Sequence, residues 1–255
     1  MNTFAQLIIL FVVAGLLLLA GVAWADDPAK ASKAEPPWQR LEEELREKGV
    51  SVEKASLVTL AKDTNADVSM RWSALEILGW RGEKSALEDI RQIAHTEQQP
   101  LLIETAALAL ARLGQNDGKI LLKQRFEVAT SKVRKLFLAS RLAELGDASG
   151  YDEVVKSAQS PEEFVRYTSV GALVCFLPYE GKKAGNTLFE PLRWIRILAK
   201  DSYPKIREQV LIELPLGLKK GLSLETCRSV IEQMSNEDAD AELRSQAKSL
   251  LLIVK

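Results

Sequence analysis

The chain has 255 residues, 47% of them hydrophobic and 27% charged, which supplies a core of ordinary size and carries none of the polar bias of a disordered chain. Thirty-four Lys and Arg against 35 Asp and Glu leave a formal net charge of −1, which excludes binding to nucleic acid through bulk charge and confines any electrostatic function to a local patch. One histidine, His95, and two cysteines, Cys175 and Cys227, are too few for a His/Cys metal cluster, so neither a metal nor another cofactor is expected.

The first element is apolar. From Phe4 to Val22 the sequence FAQLIILFVVAGLLLLAGV has no charge, and Ala23-Trp24-Ala25 follows it. A small-x-small ending makes residues 1–25 an export signal cut after Ala25. The same 19 residues, at about 1.5 Å each, nearly cross a hydrocarbon layer of about 30 Å, so an uncleaved membrane anchor over residues 4–22 is the alternative. Either route delivers the rest of the chain across a membrane, to a periplasmic or extracellular location. Residues 26–38, rich in Ala and Pro, read as a linker, and the fold is expected over 39–255.

A charged pair of short helices opens the fold, WQRLEEELREK and SVEKASLVTLAK, with Ser51 placed to cap the second. Asp63 to Met70, DTNADVSM, imitates a calcium loop. It lacks the Gly at the sixth position (Val68) and the Glu at the twelfth (Ala74), so its acids are read as helix caps, as are those of NEDADAEL near the end of the chain.

A repeat begins here. Gly82, Gly114 and Gly146 recur at a step of 32, and Pro178 falls on the next mark. At the same step Leu78, Leu110, Leu142 and Val174 form one column, Ala74, Ala106, Leu138 and Val170 a second, and Ile90, Leu122 and Val154 a third. Within each copy the apolar residues fall at helical spacing on either side of the stop, so each copy is helix, tight turn, helix. One pair cannot bury both apolar faces, so neighbouring pairs must stack. Beyond Pro178 the step becomes 41, which places an insertion of about nine residues in PYEGKKAGNT. A further pair runs from Pro204 to Ser235, and ADAELRSQAKSLLLIVK closes the stack. No Asn-Gly or Asp-Gly turn joins two strand-like runs, which argues against a β fold.

VSMRWSALEILGWRG, VRKLFLASRLAELGD and VRYTSVGALVCFLP resemble the first helix of HEAT repeats, specifically the short HEAT-like units also found in phycobilin lyases. The resemblance covers about residues 39–255. It implies an all-α fold, a right-handed α-solenoid of about six HEAT-like helix pairs, with the second helices lining the concave side. It also implies that the arginines near the starts of the first helices (Arg71, Arg134, Arg166, Arg207, Arg244) meet the Asp of a preceding turn.

Candidate chemistry is sparse. Ser51-x-x-Lys54 lacks the companion motifs of penicillin-binding enzymes, and His95 ends a second helix without a catalytic partner. Cys175 and Cys227 lie in apolar runs and read as core. What remains is a positive middle: seven basic residues against one acid from Lys119 to Arg141, and ten against five from Arg166 to Lys220. On the second helices this places Lys119, Lys123, Lys156, Arg193, Trp194 and Arg196 as partner-binding residues for a protein with an acidic surface. The expected function is a non-catalytic scaffold or assembly factor of the cell envelope. The alternatives are a membrane-tethered adaptor or, by the lyase resemblance, a tetrapyrrole-binding protein.

Overall fold

The computed structural model describes residue 36 and residues 38–254; the apolar segment, its cleavage boundary and most of the linker lie outside the described residues. Thirteen α-helices are present among them, in two compact units that meet in sequence at Val128 and Ala129.

The first unit holds α1 (Gln39–Glu47), α2 (Lys54–Lys62), α3 (Val68–Trp80), α4 (Leu87–Thr96), α5 (Pro100–Arg112) and α6 (Asn116–Val128). Like packs on like, α3 against α5 and α2 against α4; across the rows α2 lies on α3, α4 on α5, and α6 on α5. The second unit holds α7 (Lys132–Glu144), α8 (Tyr151–Ala158), α9 (Glu163–Phe176), α10 (Pro191–Leu198), α11 (Pro204–Glu213), α12 (Leu224–Glu237) and α13 (Ala241–Ile253). Its first helices form the row α7, α9, α11, α13, and α10 packs on α8 in the other row. Each unit is therefore a stack of helix pairs.

The columns of the sequence repeat are the cores of these stacks. Leu78, Leu110, Leu142 and Val174 are at most 1% exposed, and the other two columns are fully buried. The backbone repeats as closely as the side chains. Gly82, Gly114 and Gly146 have φ of +70°, +85° and +80°, and the carbonyls of Leu78, Leu110 and Leu142 accept from the amides of Glu83, Gln115 and Asp147. The left-handed glycine turns the chain back so that the last turn's carbonyls stay bonded, which ends each first helix at the same place. Gly49, with φ +76°, and the Val50 amide to the Leu45 carbonyl form one more such stop that lies off the step of 32.

Helix starts follow the acids read as caps. Asp67 accepts from the Ser69 amide at 2.8 Å, and Asp240 from the Glu242 amide at 2.8 Å. Ser51 departs from its expected role: α2 begins one turn later, at Lys54, and the Ser51 hydroxyl accepts instead from the Glu53 amide at 3.3 Å.

The insertion lies between α9 and α10, as the change of step requires. It is a β-hairpin, β1 (Lys183–Ala184) and β2 (Thr187–Leu188), with Lys183 opposite Leu188. Its turn is Gly185-Asn186, with φ +58° at Gly185, a geometry that suits the twist of paired strands. Phe189 follows the hairpin and inserts among Tyr151 and Tyr179, with ring centroids 4.9 and 5.6 Å away. Tyr151 also meets Phe176 at 5.3 Å, accepts from the Glu190 amide at 2.8 Å, and so pins the hairpin to α8 and α9.

Candidate binding surface

The recurrent arginines come first, because they decide which cations are free to act. Arg207 donates to the carbonyls of Asp201 and Ser202 in the turn before its own helix, and to both oxygens of Asp238, at 2.9 Å each, in the turn of the next pair. Arg166 repeats this with the carbonyls of Ser160 and Pro161 and the carboxylate of Asp201 at 2.7 Å. Arg71 does so with the Ala61 carbonyl and Glu97, and Arg244 with the carbonyls of Asp238 and Ala239. The preceding turn thus supplies carbonyls and the following turn supplies the acid, the reverse of the expected order. Arg71, Arg166 and Arg207 each use acceptors on both sides to satisfy a largely buried guanidinium, whereas Arg244 bonds to the preceding carbonyls. Burial alone would raise the Asp238 and Asp201 carboxyls, but Arg207 and Arg166 hold both below the usual carboxylate range.

Other charges bind helices within each unit. In the first, Arg81 donates to Glu42 at 2.7 Å, and Arg112 to Glu76 at 2.6 Å while lying 3.9 Å over the Trp80 ring. In the second, Lys220 approaches Glu144 at 3.5 Å and Arg141 at 3.3 Å from the same carboxylate. Glu213, 2% exposed, accepts from Gln209 at 2.8 Å; burial pushes its carboxyl up to about 8. Burial likewise pushes the thiols of Cys175 and Cys227 up to about 11, so both are core residues and neither is a thiolate near neutral pH.

The basic run from Lys119 to Arg141 is partly consumed by these contacts. Arg125 lies 3.7 Å from Glu104, Lys132 2.6 Å from Glu162, Lys135 4.0 Å from Glu153, and Arg141 is buried. A count of charges along the chain cannot anticipate this, because the neutralising acids come from other helices.

The six candidate residues divide between the units. Lys119 and Lys123 are on α6 of the first unit, Lys119 half-buried and Lys123 exposed. Lys156 is on α8 of the second unit, exposed, beside a hollow of about 520 Å³ that Asp152, Glu153 and Lys132 also line. Arg193, Trp194 and Arg196 are on α10. That helix buries Pro191, Ile195 and Leu198 and exposes Arg193, Arg196, Ile197 and, one residue past its C-cap, Lys200. The spacing i, i+3, i+4, i+7 puts these four on one stripe. Arg193 pairs with Glu190 at 3.2 Å, and its guanidinium lies 5.9 Å from the ring of half-buried Trp194. Lys200 is 3.9 Å from Glu237, both side chains remaining mostly exposed. Among the described residues, Lys123, Lys156 and Arg196 make no ion pair.

Two members of this surface were not legible in the sequence. Ile197 is an aliphatic residue in a helix whose other aliphatics are buried or half-buried, yet it is 47% exposed. Leu188, 41% exposed, stands opposite Lys183 on the hairpin while the next residue, Phe189, points into the core. Strand alternation would have given the second, had the two-residue strands been recognised.

A family model of HEAT repeats matches residues 55–140, less than half of the chain. A search of curated proteins finds no match. Among solved structures, the chain is similar to a designed armadillo repeat protein at 14% identity, with 80% of this chain and 100% of that one covered and a TM-score of 0.39. It is similar to human deoxyhypusine hydroxylase in complex with glycerol at 14% identity, covering 95% and 89%, with a TM-score of 0.36. An archaeal HEAT-like repeats protein from Thermococcus onnurineus NA1 aligns at 13% identity over 94% and 96%, with a TM-score of 0.31.

Proposed function

We propose that this chain is a non-catalytic binding scaffold of the cell envelope, exported by its apolar N-terminal segment and engaging acidic partners through the second helices of its HEAT-type pairs. The observation that carries the reading is the exposed stripe of α10, where Arg193, Arg196 and Lys200 flank Ile197 on a helix whose opposite face is core. Cations that serve the fold are buried between turns, as Arg207 is; these are not, and an exposed cation contributes little to stability. Lys119, Lys123 and Lys156 extend the same role to α6 and α8, for protein partners with acidic surfaces.

The test is cross-linking in the native envelope, followed by identification of the captured proteins, with wild type and a variant reversed in charge at Lys119, Lys123, Arg193 and Arg196. Capture of defined proteins that the variant loses, while its helical circular dichroism is unchanged, supports the reading. Equal capture by both sinks it.

A further inference from the structure

We infer that the α10 stripe and the adjoining hairpin form a contact surface for an anionic lipid bilayer. The inference rests on the reading of α10 as a binding surface and assigns this part of it to phosphate headgroups.

Three observations lead there. The first is composition at the level of the exposed face: Arg193, Arg196 and Lys200 alternate with Ile197 along α10, and Lys183 stands directly opposite Leu188 on the hairpin. Cations interleaved with exposed aliphatics are what a bilayer interface takes, since the aliphatic tips enter the acyl boundary while long basic side chains reach the phosphates.

The second is the state of the nearby acids. Glu180 accepts from the Leu192 amide at 2.9 Å, which ties the base of the hairpin to the first turn of α10, and Glu190 is engaged by Arg193. The chain entering the hairpin is thus tied to α10 and these two carboxylates are occupied with internal donors, while Glu237 lies 3.9 Å from Lys200 at the end of the stripe. Half-buried Trp194, under the Arg193 guanidinium, is the side chain that settles most readily at headgroup depth.

The third is the rest of the molecule. With a net charge of −1, the chain as a whole has no attraction for an anionic surface, so any preference for one must come from a local patch. If the apolar segment 4–22 is the export signal or anchor proposed above, it brings the chain to a bilayer whether it is then cut or kept.

The test is partition of the full chain onto vesicles of phosphatidylcholine alone and of phosphatidylcholine with phosphatidylglycerol. The readout is the ratio of the two partition coefficients, which the uncharged N-terminal segment does not move. Wild type is expected to prefer the anionic vesicles at least tenfold at low salt, and to lose most of that preference in half-molar NaCl. Arg193→Gln, Arg196→Gln and Lys200→Gln together are expected to bring the ratio near one, and the charge-reversed triple variant to bring it below one. Ile197→Asp with Leu188→Asp is expected to weaken binding at least fivefold while Lys84→Glu, an exposed lysine outside the candidate surface, leaves the ratio unchanged. A wild-type ratio near one, or a preference that the glutamine variant keeps, overturns the lipid assignment. So does tighter binding to polyglutamate than to anionic vesicles, which makes an acidic polypeptide the partner. If the vesicle ratio is near one but envelope capture still depends on the α10 cations, the scaffold stands and only the lipid assignment falls.

Discussion

Glu213 shows how one residue's environment becomes a property of the whole fold. It is 2% exposed at the end of α11, with Gln209 as its hydrogen-bond donor, and burial raises its carboxyl to about 8 from an ordinary value of 4.5. The folded chain therefore keeps a proton that the unfolded chain releases above pH 4.5. Its contribution to stability is fully present below that pH and declines as pH rises towards 8, by at most about 1.4 kcal/mol per pH unit. Urea midpoints measured from pH 4.5 to 8 should fall relative to those of Glu213→Gln, whose neutral amide removes the slope; parallel profiles for the two proteins would contradict the assignment. Lys220 lowers the carboxyl but does not overcome burial, and it is itself paired with Glu144. None of this was legible in the sequence, where Glu213 is one acid among 35.

At the scale of elements, glycine serves two different purposes, and Gly146 and Gly118 separate them. Gly146 has φ +80° with open space around it, so Gly146→Ala is penalised by backbone conformation alone, about 1–2 kcal/mol. Gly118 sits in α6 where a Cβ would fall 2.3 Å from the Ala107 carbonyl oxygen and 2.7 Å from the Ala111 amide nitrogen of α5. Gly118→Ala forces the two helices apart and should cost more, about 3 kcal/mol or above. Thermal melts of the two variants should rank in that order; a Gly118→Ala midpoint no lower than that of Gly146→Ala would show that α5 and α6 accommodate a methyl group between them. The glycine stops and the apolar columns were readable because the repeat writes them several times. The hairpin was not, because each of its strands has two residues, too few for an alternating pattern, and its turn is Gly-Asn rather than Asn-Gly or Asp-Gly. The arginine ladder was half readable: periodicity located the arginines, but only stacking showed that the acid belongs to the following turn.

At the scale of the molecule, the apolar N-terminus and the stacks of helix pairs raise separate questions. Among the described residues no helix is long and apolar enough to cross a membrane; the segment proposed as export signal or anchor, residues 4–22, lies outside them. Sequencing the protein recovered from the envelope is expected to begin at Asp26, the product of cleavage after Ala25; a chain beginning at Met1 would make the apolar segment an anchor. The sequence by itself determined the helical class, the step of the repeat, the buried columns and the place of the insertion. These follow from local rules, since helical spacing, a left-handed glycine and a capping acid act within one or two turns of the chain. Only the tertiary structure decided which charges remain available. Arg125 and Lys132 read as part of a basic patch until acids from distant segments meet them, whereas Arg196 and Lys156 stay unpaired among the described residues, and Ile197 and Leu188 join them at the surface. Pairing of charges depends on distances of a few ångströms between segments tens of residues apart, and those distances exist only once the helices have stacked.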